Sequence, residues 1–358
     1  MLLIPVTGWL NLILLVTSSG SHGAISGFAY LIKHKLDKPM NTTVAQSQKS
    51  AARSTVEDLV INWHVTEACN YQCRYCYSTW QREARQLDVV RDETASFTLL
   101  QALWDFFRPD NMSNPLRQTL HWSHVRLSIA GGEALLYPRQ VLAIARQARQ
   151  LGMRVSLITN GSLLPEGDAL AELAQQLCIL GMSLDSFSSS RNLAIGRADS
   201  KGRHLTLESV AQQFDQVRVA NPGLLVKVNT VVNASNVDEN LLHELTMLQP
   251  DRWKVLRMLP VVNRELAVTD AEFAGFVTRH AAMGERMSVE DNSDMLGSYV
   301  MIDPQGRFFQ NGTGKAGSYF YSYPITPQNV HKAFASIPFS AQRFAARYKP
   351  TLKTPLPV

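Results

Sequence analysis

The chain has 358 residues, 45% of them hydrophobic and 18% charged, which excludes a disordered or fibrous protein and suffices for one large domain or two small ones. Lys and Arg outnumber Asp and Glu by 35 to 30, a formal charge of +5, compatible with an anionic ligand but too small to argue for nucleic acid. Four cysteines in such a length exclude a disulfide-built scaffold, and the grouping of Cys69, Cys73 and Cys76 points to a metal centre.

Residues 1–39 differ in character from the rest of the chain. The apolar runs at 8–16 and 24–32 are shorter than the ~18–20 residues that a membrane-spanning helix needs. Met1 to Asn11 contain no Lys or Arg, which argues against a secretory signal, and interrupting Gly and Ser residues argue against an amphipathic surface helix. Met40 opens the polar stretch MNTTVAQSQKSAARS. Residues 1–39 are therefore expected to lie outside the functional protein, with 40–57 a flexible polar linker and a cytoplasmic, membrane-free location.

From Leu59 onward, strand-like apolar runs fall at 59–65, 124–130, 153–159, 178–184, 224–232 and 252–258. Helical periodicity fills 94–107, 139–152, 168–177, 205–221, 237–248 and 270–283. Strict alternation of near-continuous apolar strands with helices predicts an α/β fold with a parallel sheet covered on its faces. An open doubly wound sheet and a curved partial barrel both fit. Beyond 285, SYVMID (298–303), PQG and RFFQ (307–310) read as a hairpin. The tail from Gly312 reads as irregular apart from a short helix over 340–348.

The segment TEACNYQCRYCYSTW (66–80) follows the first strand and spaces its cysteines as C-x3-C-x2-C. Three thiolates on one loop can hold three irons of an iron–sulfur cluster, leaving the fourth iron open. A zinc site with His64 as fourth ligand is the alternative, although paired C-x2-C knuckles are missing. Cys178 opens an apolar strand and reads as a small buried hydrophobe.

C-x3-C-x-aromatic-C, with Tyr75 as the aromatic residue, after the first strand of an alternating α/β chain resembles the radical S-adenosylmethionine (SAM) superfamily. The resemblance implies a partial (β/α)6 TIM-like barrel over 58–285 with a C-terminal extension, 286–358, covering the active site. It also implies a [4Fe-4S] cluster on Cys69, Cys73 and Cys76, with SAM on its open iron. Gly131-Gly132-Glu133 after the second strand resembles the superfamily's GGEP motif, whose backbone receives the SAM amino group; Ala134 replaces the usual Pro. Asn160 and Ser162 after the third strand, Ser183 and Asp185 ending the fourth, and Arg197 in IGR match SAM-contacting positions. Turn, cap and surface roles are the alternatives for these residues.

Further along, TNGSLL (159–164), SLDSF (183–187), VKVNTVVN (226–233), RWKVLRM (252–258) and SYVMID (298–303) resemble the viperin family in order and spacing. That family converts a nucleoside triphosphate (CTP, UTP or GTP) into its 3′-deoxy-3′,4′-didehydro form, a terminator of viral RNA synthesis. The resemblance implies a flavodoxin- or ferredoxin-type electron donor, a monomer, and no nucleic-acid partner. Lys227 lies mid-strand with Asn229 on the same face, and a Lys inside an apolar strand is unfavourable unless its charge is paired. Lys254, flanked by Arg252 and Arg257, occupies the next strand. Together these form a candidate triphosphate clamp; a buried carboxylate beside Lys227 and a solvated Lys254 are the alternative. Asn62 and His64 are candidate substrate contacts from the first strand, and Tyr299 matches a tyrosine near the substrate. Glu290 and Asn292 are expected on a loop closing over the nucleotide. Radical SAM enzymes of peptide or cofactor maturation, and a non-catalytic metal-binding protein, are the competing functions.

Overall fold

In the computed structural model of the protein, residues 53–76, 86–260, 264–312 and 319–348 are described; the expectations for 1–39 and for 40–52 lie outside them. The six expected strands form β1 (Ser54–His64), β2 (Leu120–Ala130), β3 (Arg154–Thr159), β4 (Ile179–Ser183), β5 (Leu225–Val232) and β6 (Arg252–Arg257). They are parallel and adjacent in chain order. A further parallel strand, β7 (Met287–Glu290), continues beyond β6. On the other side, β8 (Val300–Ile302) pairs parallel with β1, and β9 (Arg307–Asn311) returns antiparallel as the expected hairpin. β10 (Tyr319–Pro324) pairs antiparallel with β9 at that edge.

The helices cover the outer face: α1 (Glu93–Phe107), α2 (Pro138–Gln150), α3 (Gly167–Gln175), α4 (Ser189–Ile195), α5 (Leu207–Ala220), α6 (Leu242–Leu248) and α7 (Asp270–Arg279). Alternation along each strand decides the two faces. Leu59, Ile61 and Trp63 of β1, with Leu127 and Ile129 of β2, are fully buried in the helix-facing core beside Leu103 and Phe107 of α1. The opposite face carries polar side chains and surrounds one cavity of ≈ 1030 Å³, lined by residues of all ten strands, from Asn62 on β1 to Glu290 on β7 and Phe309 on β9. A flat doubly wound sheet cannot bring β1, β4 and β7 around one cavity. The sheet is therefore the curved partial barrel, open between β7 and β10.

Several elements depart from expectation. β1 begins at Ser54, inside the stretch expected as linker. α6 starts only at Leu242 because Asn233 and Asn236 divert the preceding chain into turns; the Asn233 N–H donates to Asn236 Oδ1 at 2.8 Å. The tail expected to be irregular holds β10, α8 (Val330–Ala335) and the expected helix α9 (Ala341–Arg347). α8 places Phe334 against Phe107 and Phe308, so apolar burial orders this segment.

Candidate active site

The cysteine loop leaves the C-terminal end of β1 and is gripped from two sides. The Gly132 N–H donates to Thr66 O and the Glu133 N–H to Ala68 O, both at 2.7 Å. A Cβ on Gly132 would lie 2.3 Å from Ala68 O, so glycine is required here by the cysteine loop itself. From the other side, Gly196, the left-handed cap of α4 at φ +86°, receives the Gln72 N–H, and Ile195 O receives the Arg74 N–H. A Cβ on Gly196 would meet Gln72 O at 2.3 Å.

Three N–H donors from different segments face the cysteine sulfurs. Cys69 Sγ receives the Tyr71 N–H at 3.3 Å and Asn160 Nδ2 at 3.7 Å; Cys73 Sγ receives Arg197 Nη1 at 3.7 Å. Burial pushes the Cys73 thiol up to about 11 and raises Cys69 as well. A metal held by these cysteines would displace their protons, and the same donors would then stabilise the thiolate charge. Three thiols on one loop, with N–H donors aimed at two of the sulfurs, fit a cluster rather than one zinc ion. Burial holds the His64 imidazole down at about 4, and its ring packs edge-on against Phe309.

Behind the loop, the Tyr75 hydroxyl donates to Asp185 Oδ2, and Arg197 Nη1 donates to the Tyr75 oxygen at 2.9 Å. Arg197 Nη2 donates to Ser183 O. Tyr75, Arg197, Ser183, Gly131 and Gly132 line the cavity. Two of the expected SAM-side residues are engaged within the fold. The Glu133 carboxylate is fully buried, where it accepts the Leu135 and Asn160 N–H groups and the Thr159 hydroxyl; these bonds engage it in joining β2 to β3, away from the cavity. The Asn160 amide donates to Cys69 Sγ and, at 2.9 Å, to Asn70 Oδ1, while its oxygen accepts from Ser162. It thus holds the cysteine loop while also lining the cavity.

The far wall is cationic. Register places Asn229 beside Lys254 and Lys227 beside Arg252, so β5 and β6 present their cations in two layers. Lys227 and Asn229 face the cavity, and among the described residues neither side chain makes a hydrogen bond or an ion pair. Burial, then the nearby Lys254 charge, lowers the Lys227 ammonium well below its ordinary range. Lys254 meets the carboxylate instead: its Nζ lies 2.5 Å from Glu290 Oε1 and 3.2 Å from the Tyr299 hydroxyl. This reverses the expected alternative, in which Lys227 was the paired lysine. Arg257 is engaged by Asp270, Asp291 and Val268 O. Asn62 lines the cavity but donates to Val300 O at 3.3 Å, tying β1 to β8. Glu290 and Asn292 are not on a closing loop: Glu290 ends β7, and Asn292 opens a 3-10 turn outside the cavity lining.

Sequence reasoning missed Arg126 and Arg347. Arg126 sits mid-strand in HVRLSIA, the same signal that exposed Lys227, and pairs with Asp58 at 3.0 Å. Arg347 comes from α9, stacks on the Tyr299 ring at 3.4 Å and reaches Glu290 Oε1 at 2.6 Å; nothing local in SAQRFAARY marks it.

A curved parallel α/β barrel carrying three cysteines on the loop after its first strand defines a radical SAM protein. The family model described as the radical SAM superfamily matches residues 63–205. The S-adenosylmethionine-dependent nucleotide dehydratase of Pseudoalteromonas ulvae is 40% identical, over 83% of this chain and 94% of that one. The protein of the same name from Psychrobacter lutiphocae is 37% identical, over 82% and 95%. A solved structure of anSMEcpe with bound AdoMet has a TM-score of 0.51 at 11% identity, covering 82% of this chain and 84% of that one, a likeness of fold alone. The chain belongs to the S-adenosylmethionine-dependent nucleotide dehydratase family of radical SAM enzymes. The superfamily's cofactors are a [4Fe-4S] cluster and SAM, which the donor set at Cys69, Cys73 and Cys76 fits. Among the described residues no helix is long and apolar enough to cross a membrane.

Proposed function

We propose that the substrate is a nucleoside triphosphate, CTP, UTP or GTP, dehydrated to its 3′-deoxy-3′,4′-didehydro form in antiviral defence. The observation that carries this reading is the pair Lys227 and Asn229, a half-buried amine and a buried amide on one face of β5, neither hydrogen-bonded nor ion-paired among the described residues. Buried polar groups are paired in native proteins, so these two call for an anionic, hydrogen-bonding ligand. The names of the relatives, nucleotide dehydratases, support the same class.

In this reading, Lys227, Arg252 and Lys254 take the phosphates and Asn229 orients the ribose. Cys69, Cys73 and Cys76 would hold the cluster, which when bound would supply the reductive SAM chemistry needed to abstract the ribose 4′ hydrogen. Gly131, Gly132, Ser183 and Arg197 form the SAM side of the cavity, with Tyr75 and Asn160 holding the loop. Burial, with Glu290 next, keeps the Tyr299 phenol protonated; in the free protein its hydroxyl donates to Glu290 Oε2 at 2.7 Å, and in this reading it turns from that carboxylate to donate at the ribose. Residues 286–358 act as a cover, since Arg347 and Tyr348 line the cavity. The catalytic barrel spans 58–285, a flavodoxin or ferredoxin supplies electrons, and the enzyme works as a cytoplasmic monomer.

The test is anaerobic reconstitution with iron and sulfide, then dithionite, SAM and each of ATP, CTP, GTP and UTP in turn. Mass spectrometry should find 5′-deoxyadenosine together with one nucleotide lighter by a water. Deoxyadenosine with no altered nucleotide would overturn the substrate assignment.

A further inference from the structure

Arg197 stands between two opposed neighbours. Its Nη1 points at Cys73 Sγ from 3.7 Å and lies 3.5 Å from Asp185 Oδ2. Tyr75 bridges them, accepting from Arg197 and donating to Asp185. Asp185 is 1% exposed and has little freedom to move: Oδ1 accepts the Val231 N–H at 2.9 Å, and its main-chain oxygen accepts Asn236 Nδ2 at 2.9 Å. The carboxylate is thus fixed between the ends of β4 and β5. Arg197 is 7% exposed, so solvent screens this charge pair weakly.

We propose that Asp185 is a positioning residue that acts through Arg197 and Tyr75. It holds the middle of the cysteine loop and keeps the cluster on Cys69, Cys73 and Cys76 difficult to reduce. Hydrogen bonds and positive charge at ligand sulfurs favour the reduced, more negative cluster. The Asp185 carboxylate opposes the Arg197 cation that would otherwise act fully on Cys73. The inference depends on the cysteines as cluster ligands and not on the nucleotide reading, so its test omits nucleotide and the two can fail separately.

The experiment is a reductive titration of the reconstituted full chain, without SAM or nucleotide, followed by electron paramagnetic resonance. Asp185→Asn keeps the shape and the acceptor for Val231. It should raise the midpoint by about tenfold in the redox equilibrium constant, ~59 mV for one electron. Arg197→Gln should lower it, and the double variant should match Arg197→Gln, because Asp185 acts through Arg197. Asp185→Glu, retaining the charge, should restore the wild-type midpoint. Single variants that bind full iron and shift in the same direction, or that leave the midpoint unmoved, would overturn the proposal. Should Asp185→Asn not fold, the sign for Arg197→Gln decides: an unchanged or raised midpoint overturns it.

Discussion

Lys254 Nζ and Glu290 Oε1 lie 2.5 Å apart on the paired strands β6 and β7, and Arg347 from α9 reaches the same oxygen at 2.6 Å. One carboxylate thus bridges two cations on the cavity wall and fastens the last helix to the barrel. Removing it leaves Lys254 and Arg347 without their carboxylate, the kind of change that costs about 3–5 kcal/mol when a buried partner is deleted. Glu290→Gln should therefore lower the melting temperature of the ligand-free protein. A triphosphate can replace the missing charge, so the rise in melting temperature on adding substrate should be larger in the variant than in the wild type. Equal ligand-induced shifts would show that the triphosphate does not reach these cations.

The same cluster predicts an acid limit. Burial pushes the Glu290 carboxyl up, but Lys254 and Arg347 outweigh it and hold it at about 2, below its usual 4.5. A depressed carboxyl stabilises the fold above its unfolded value, and that contribution disappears as pH falls through the folded value. The stability difference between wild type and Glu290→Gln should persist above pH 4.5 and shrink toward zero between pH 4.5 and about 2. Denaturant titrations across that window measure it.

Lys227 should show opposite effects on stability and binding. Its half-buried side chain lies beside the Lys254 charge and makes no ion pair or hydrogen bond among the described residues of the free protein, so Lys227→Met should raise the melting temperature. The variant should bind triphosphate more weakly by about 1.5–3 kcal/mol, the range for a charge-assisted hydrogen bond. Calorimetric titration alongside thermal melts tests both signs; unchanged affinity would remove Lys227 from the phosphate site.

Triphosphate binding should weaken at alkaline pH. Burial lowers the Lys254 ammonium to about 8 against the pull of Glu290. Above that value the side chain is neutral and contributes less to anion binding. Between pH 7 and 9 the dissociation constant should rise in wild type but stay nearly flat in Lys254→Arg, whose guanidinium remains charged.

Gly132→Ala should eject the cluster without unfolding the barrel. Its Cβ would sit 2.3 Å from Ala68 O and 2.5 Å from Glu67 O, displacing the backbone that leads into Cys69. Iron per chain after reconstitution should fall severalfold. As a control, Gly275→Ala on α7 meets nothing within 4 Å and should stabilise by roughly 0.5–1 kcal/mol, the helical preference of Ala over Gly.

Much of this protein is written in short-range pattern. The six parallel strands, the hairpin after 298, the cysteine loop and the shared face of Lys227 and Asn229 follow from periodicity and spacing within a dozen residues. Strand β7, only Met287–Glu290, is too short to carry such a pattern and exists because β6 offers it an edge. Charge pairs and side-chain hydrogen bonds, by contrast, belong to the three-dimensional fold. Arg347 meets Glu290 across 57 positions and Tyr75 meets Asp185 across 110, pairings that no local signal encodes. Glu133 reads as a ligand contact in its motif, yet the fold turns it inward because Leu135, Thr159 and Asn160 all present donors to it. Residue order thus specifies which chemistry is present and on which strands it sits. The curvature of the sheet sets which of those groups meet one another and which, like Lys227, are left facing the cavity, because a buried charge is satisfied only by the neighbour that folding brings within reach.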